Sequence, residues 1–273
     1  MNLSIDKLTV VGNIFGDLEG FYRRCDATEY HGLAKYPYRY SIHFLDGSVL
    51  QVAEQERVRS GHLKELRYEF NPNHKEYNKL HYEVLGHMKD SHFTRIDVAF
   101  DIYDVDMSSW RWIDLLGRPF NVWYSGAGEV ETWYVGGRSS DLRIRIYNKA
   151  KEQQKEEKLW WRVEVQMRRE TCKIVEEFNG EVIYNPFKDI FPVVDDDFKH
   201  LDIKTRAIVK YLINEPQGFS ELSKASRSKY RKILVEEAKK SKKTIDFAAE
   251  WEKKYSLLKS ELKDWLGFTQ VTI

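Results

Sequence analysis

Apolar and polar positions alternate with period 2 in many short stretches up to about residue 193, whereas beyond residue 197 the apolar positions recur at helical spacing. Residues 8–11, 38–45, 48–53 and 64–70 read as strands, the second and third joined by an Asp46-Gly47 turn. Residues 75–85 read as a helix. In residues 94–103, Ile96, Val98, Phe100 and Ile102 take one face and Arg95, Asp97, Ala99, Asp101 and Tyr103 the other. Residues 108–116 are predicted to be a helix opened by Ser108 or Ser109 and stopped at Gly117. Residues 121–124 and 132–135 form a predicted hairpin, and the 136–140 turn (Gly-Gly-Arg-Ser-Ser) leads into a strand over 142–149. A charged helical turn or loop is expected over 149–158, a strand over 160–168 and a helix over 171–178. Residues 192–197, with three consecutive aspartates, read as a linker, after which helices are predicted over 205–213, 219–224, 226–240 and 245–266. The fold class is therefore α+β: a mainly antiparallel sheet with helices on one face and an exposed polar face, plus a helical basic C-terminal region. The expected domains are 1–195 and 196–273.

Three strands carry the candidate chemistry. In 142–149, Ile144 and Ile146 point one way and Arg143, Arg145, Tyr147 and Lys149 the other. A tyrosine hydroxyl titrates near 10 and attacks only when its proton is withdrawn or its phenolate stabilised. Flanking cations do the second and also attract a phosphodiester. In 160–168, Val163, Val165 and Met167 alternate with Arg162, Glu164 and Gln166. If the three strands are neighbours, their polar faces make one floor with Asp97, Asp101 and Glu164 as metal-ligand candidates and Tyr147, Arg145, Lys149 and Arg162 as catalytic candidates. The two aspartates are about 13 Å apart along an extended strand and need neighbouring strands to close round an ion. An oxygen-rich set suits Mg²⁺ or Mn²⁺, which neutralises phosphate charge. The 136–140 turn, with Arg138 and Ser139 beside Arg143, can cradle phosphate.

Charge sharpens this picture. The formal net charge is only +1, but residues 204–243 hold 12 Lys/Arg against 4 Asp/Glu, so the rest of the chain is net acidic. A basic appendage on an acidic body suits a polyanion. A helix, a Gly-containing turn and a second helix bearing Ser226, Arg227, Ser228, Lys229, Arg231 and Lys232 resemble helix-turn-helix packing. Cys25 and Cys172 stand alone, with no disulfide framework or zinc spacing. No apolar run reaches the length of a membrane span, and no signal pattern opens the chain; a soluble, cytoplasmic protein without membrane contact is expected.

Four strings together resemble a known family: Arg-Ile-Asp-Val-Ala-Phe-Asp (95–101), Tyr-Val-Gly-Gly-Arg-Ser-Ser (134–140), Arg-Ile-Arg-Ile-Tyr-Asn-Lys (143–149) and Trp-Arg-Val-Glu-Val (161–165). They look like the plasmid replication initiators that start rolling-circle replication in Gram-positive bacteria, the group typified by the staphylococcal tetracycline-resistance plasmid. The resemblance spans roughly residues 1–270. It implies a topoisomerase-like nicking-closing enzyme, active as a dimer, that binds duplex origin DNA, acts on the melted single strand, becomes 5′-linked to it through a tyrosine and loads a PcrA-type helicase. Carried over by motif, Tyr147 is the nucleophile, the acidic residues of the 94–103 strand and Glu164 are metal-site candidates, and residues 226–229 match the origin-specificity segment. Other rolling-circle nickases hold their metal with a His-hydrophobe-His pair; this chain has none, and His81, His87 and His92 read as packing or surface residues. Two competing readings stand beside it: a non-enzymatic DNA-binding regulator using the basic helices, and a metal-dependent nuclease attacking with water. A mobilisation relaxase would share the tyrosine chemistry.

Overall fold

The computed structural model describes residues 1–24, 29–31, 37–61, 63–155, 159–176, 184–194 and 198–269. Two compact units divide the chain, and neither is continuous. The first comprises Met1–Asn2, Phe100–Val165 and Val182–Tyr255; the second comprises Leu3–Ala99, Gln166–Glu181 and Ser256–Ile273. No unit boundary falls at residue 195. The triple aspartate expected to form the linker lies outside the described residues, as do Cys25 and the ends of the segments predicted over 149–158 and 171–178.

The second unit contains strands β1 (Asn2–Ile14), β2 (Glu29–His31), β3 (Tyr38–His43), β4 (Val49–Ala53) and β5 (Leu66–Phe70), with most of β6 (Met88–Tyr103) and the end of β11 (Trp160–Arg168). Their order is β2-β3-β4-β5-β1-β6-β11. Strands β4 and β1 both pair antiparallel with β5, with Leu50 opposite Tyr68 on one side and Val10 opposite Tyr68 on the other. Helices α1 (Leu18–Arg24), α2 (Gln55–Arg59), α3 (Asn78–Gly86) and α5 (Glu170–Glu176) accompany them. The aromatic core gathers Tyr68, Phe70, His81 and Trp265, with Phe70 and Trp265 ring centroids 5.1 Å apart. His81 is buried against Tyr68 Oη at 2.7 Å and Asp46 at 3.5 Å; burial holds its pKa down to about 4, against the opposing pull of Asp46. The packing role expected for this histidine holds.

The first unit orders the C-terminal end of β6 next to β11, then β10 (Leu142–Asn148), β9 (Val130–Val135) and β8 (Phe120–Tyr124) at the edge. Helix α4 (Lys149–Glu152) follows β10 directly, with Asn148 Oδ1 accepting the Lys151 backbone N–H as its cap. Phe100 packs with Phe187, Phe247 and Trp251. The predicted 121–124/132–135 hairpin is present as β8–β9.

Two expectations fail here. The helix predicted over 108–116 is a turn followed by strand β7 (Arg111–Asp114), paired with β12 (Ile190–Val193) through Ile113 opposite Phe191 and Trp112 opposite Pro192. The Ser108 N–H binds the Asp106 carboxylate in a tight turn, so the serine does not open a helix. Pro192, placed in the linker, sits in an edge strand that needs no donor there.

Helices α6 (Ile203–Asn214) and α7 (Lys224–Lys240) are separated by the 3₁₀ segment Pro216–Glu221. Asp202 caps α6 and Ser223 caps α7 through backbone N–H groups. Ile113, Val193, Phe198, Leu212, Phe219 and Leu234 form the core beneath them. Helix α8 (Phe247–Gly267) is divided between the two units. No helix among the described residues is long and apolar enough to cross a membrane.

Candidate functional site

Tyr147 lies on β10 in the first unit, opposite Thr132 of β9, while Arg145 lies opposite Tyr134. Ile144 and Ile146 are fully buried on the reverse face, as the period-2 pattern requires. Tyr147 is itself buried, with the Arg145 guanidinium 3.8 Å from its ring centroid and the Lys149 ammonium 5.6 Å away. One carboxylate, Glu152, joins both cations: it accepts from Arg145 at 3.3 Å and from Lys149. Burial raises the Glu152 pKa, but Lys149 and Arg145 outweigh it and hold the group below the usual carboxylate range. Glu164 of β11 stands 3.9 Å from Arg145.

The electrostatics of the tyrosine follow from this arrangement. Burial, then Glu164 and Glu152, push its pKa well above the ordinary tyrosine value, and Arg162 and Arg145 offset only part of the rise. The hydroxyl is therefore neutral in the free protein. Any phosphate that replaced Glu152 would sit between the two cations that flank the Tyr147 ring.

The predicted acidic residues are deployed differently. Asp101, on β6 in the first unit, is clasped by Arg162 through two bonds of 2.9 and 2.8 Å and by the Trp160 indole N–H at 2.7 Å. Asp97 belongs to the second unit, where Arg95 Nε reaches both of its oxygens at 2.9 and 3.1 Å and Gln166 Nε2 lies 3.3 Å away. Burial lifts the Asp97 pKa despite these donors. Both aspartates are almost wholly buried, 1% and 6% exposed, so neither carboxylate is open to solvent. A divalent cation would have to displace arginines from both. No group of three or more His, Cys, Asp or Glu side chains among the described residues is placed to hold a metal ion. As arranged, the carboxylates do not fit the Mg²⁺ or Mn²⁺ set expected of Asp97, Asp101 and Glu164.

The other expected contacts divide by exposure. Gly136 adopts φ +91° at the turn, Ser140 Oγ accepts the Gly137 N–H at 2.9 Å, and Arg138 and Ser139 are exposed. Arg143 stacks over Tyr134 at 4.2 Å. On α7, Ser228, Lys229 and Lys232 face solvent, while Ser226 is half-buried by the helix start. Arg227 turns back to the Leu222 carbonyl and Arg231 lies 5.7 Å from the Phe219 ring. His92 borders Lys64 and Lys173 in the second unit, where burial, then those cations, lower its pKa. Cys172 is buried with its thiol donating to the Met167 carbonyl. Two site residues escaped the sequence reading: Glu152, whose only signal was its i+3 spacing from Lys149, and Trp160, whose indole N–H holds Asp101.

A tyrosine packed beneath two cations on a mainly antiparallel sheet thus belongs to the first unit, and a family model matches the segment that carries it. The family model for "Replication initiation factor" matches residues 118–206, which include Tyr147, Arg145, Lys149, Glu152, Arg162 and Glu164. Over those residues the chain is similar to the replication initiation factors. A "Replication initiation protein" of Staphylococcus aureus is 28% identical over 254 residues, covering 86% of this chain and 75% of the relative. A second S. aureus protein of that name is 32% identical over 181 residues, covering 63% and 54% respectively. The solved structure of a rolling circle replication initiator protein from Geobacillus stearothermophilus aligns with TM-score 0.43 and 18% identity, over 64% of this chain and 77% of that one.

Proposed function

We propose that this protein initiates plasmid rolling-circle replication by nicking one strand of its origin through a covalent 5′-phosphotyrosine at Tyr147. The observation that carries the reading is Glu152 held between Arg145 and Lys149, the two cations that flank the Tyr147 ring. That carboxylate stands where an anion is favoured, and the scissile phosphate is the anion we assign to the place. The phosphate exchanges with Glu152, bringing its charge under Arg145 and Lys149. The Tyr147 oxygen then attacks phosphorus, its proton passing to Glu164, the carboxylate whose charge bears most on it. The P–O3′ bond breaks and the departing oxygen takes a proton from solvent, leaving a 3′-OH, the end a polymerase extends. Religation reverses these steps, which gives nicking-closing activity.

Origin binding is assigned to the exposed face of α7, with Ser228, Lys229 and Lys232 outward and Ser226, Arg227 and Arg231 fixing the turn, and with the 136–143 turn as a second phosphate contact. The expected division into a nicking region (1–195) and an origin-binding region (196–273) is kept as a division of labour. Homodimer action, a PcrA-type helicase partner and a cytoplasmic location belong to the same proposal. A Mg²⁺ or Mn²⁺ requirement is kept as an arm of the test, since no step above passes through a metal.

The deciding experiment incubates the protein with labelled supercoiled or single-stranded origin DNA, with and without Mg²⁺ or Mn²⁺, denatures it, and follows label on the protein. Label that vanishes in Tyr147→Phe while origin binding persists is the expected result. Cleavage without attached label would replace the tyrosine mechanism with a water-using nuclease. Origin binding with neither outcome would leave a DNA-binding regulator. Exchanging residues 226–229 for those of a relative is expected to change origin choice without changing single-strand nicking.

A further inference from the structure

Across the outer strands of the first unit, directly opposed residues share a face. Thr132 of β9 lies opposite Tyr147 of β10 on one side and opposite Trp123 of β8 on the other. Tyr147, Thr132 and Trp123 therefore form one row across the sheet on the face of the tyrosine. Two interstrand spacings separate the backbones of Trp123 and Tyr147, roughly 10 Å. Trp123 is 61% exposed, on the edge strand, although most tryptophans of this protein are deeply buried. The adjacent row holds Arg145 and Tyr134, with Arg143 stacked over Tyr134 at 4.2 Å. Beyond Arg162 on the other side, Trp160 and half-exposed Tyr103 stack at 5.6 Å.

An exposed indole at the end of a row that begins with the tyrosine, flanked by arginines on the same face, matches what a single strand needs. Bases stack on aromatic faces without regard to sequence, and the cations follow the phosphates. A duplex hides its base faces and would gain nothing from the indole. We propose that Trp123 is a base-stacking residue, and that the face of β8, β9 and β10 is a platform for single-stranded DNA that delivers the scissile phosphate to Tyr147. The inference rests on the nicking reading for its direction, but the binding itself is separately measurable.

The test uses the full chain in a Tyr147→Phe background and a fluorescein-labelled oligothymidylate of about a dozen nucleotides. Tryptophan emission is expected to quench on binding, and Trp123→Ala to lose most of that quench and to bind about 5- to 100-fold more weakly. Trp123→Phe restores most of the affinity, and both variants keep the parent Tm and the parent affinity for a duplex of the same length. Unchanged oligothymidylate affinity in Trp123→Ala overturns the platform. So does a change in oligomeric state without a change in that affinity, which would make the edge a protein contact. If Trp123-dependent binding holds but wild-type protein never becomes linked to origin DNA, the platform stands and the nicking reading falls. If linkage occurs and Trp123 is indifferent, the reverse follows.

Discussion

Arg162→Met isolates what the Arg162–Asp101 pair contributes. Asp101 is 6% exposed and receives two guanidinium bonds, at 2.9 and 2.8 Å, plus the Trp160 N–H at 2.7 Å. Methionine keeps most of the stem volume and removes both charged donors, so a buried carboxylate is left with one neutral donor. Removing one partner of a buried pair costs about 3–5 kcal/mol, and the remaining indole bond places this case at the lower end, about 3 kcal/mol. For a chain of this size that lowers Tm by about 6–12 °C. Asp101→Asn alone is expected to cost about 2 kcal/mol, because Arg162 can turn its charge toward water. The double variant should also cost only about 2–3 kcal/mol, since no unpaired carboxylate remains, giving a coupling of about 2–3 kcal/mol. Thermal melts and urea midpoints of the four proteins measure this cycle. A loss under about 1 kcal/mol in Arg162→Met, or additive losses in the double variant, would refute the argument. Mg²⁺ supplies a second check: a Mg²⁺-induced rise in wild-type Tm that Asp101→Asn abolishes would mean that the aspartate oxygens are available to a cation after all.

Glu152→Gln removes a carboxylate that raises the Tyr147 pKa and releases Arg145 and Lys149; the tyrosine pKa should fall, read by NMR of ring-labelled tyrosine, and covalent labelling at a fixed neutral pH should increase. Glu176, whose carboxyl accepts the Phe93 N–H, has its pKa raised by burial to about 7. The folded state thus holds this proton more tightly than the unfolded chain, so the stability linked to it is full below about pH 4.5 and is lost as pH rises through about 7. Glu176→Gln should accordingly gain about 1–2 kcal/mol over wild type at pH 8 after screening at a partly exposed group, with no gain at pH 4.5; equal gains at both pH values would contradict the assignment. Gly136→Ala places a Cβ 2.5 Å from the Leu142 carbonyl oxygen at φ +91°, and should lower stability by about 2–4 kcal/mol in a thermal melt.

Period-2 patterning made β10 and β11 legible, because Ile144 and Ile146 in the one and Val163, Val165 and Met167 in the other take a single buried face. Parity also put Tyr147 and Arg145 on the same face and Ile144 and Ile146 opposite, and the packing agrees. It could not show that Asp97 and Asp101 are buried, since their cover comes from Arg95, Gln166, Arg162 and Trp160, and only the sheet brings those side chains to the aspartates. The 111–114 strand was misread because its partner, Ile190–Val193, is distant in sequence and contains a proline that argued for a linker. Serines and a following glycine looked like helix punctuation; tertiary pairing overrode that local signal. Glu152 went unremarked because it lies in a charged run, where periodicity carries no information and only the return of the chain beside Arg145 gives it a role.

The division of helix α8 has a consequence for how the chain comes to be built. Its first part, through Tyr255, belongs with residues 100–165, and its remainder belongs with residues 3–99. Trp265, near its end, is 5.1 Å from Phe70 and packs on His81 and Tyr82, so a strand made early is completed by a residue made much later. During synthesis the aromatic cluster around Phe70 therefore stays unfinished until Trp265 has emerged. Removing the final turns of α8 would unseat Phe70, His81 and Tyr82, although Tyr147 would keep Arg145 and Lys149 beside its ring.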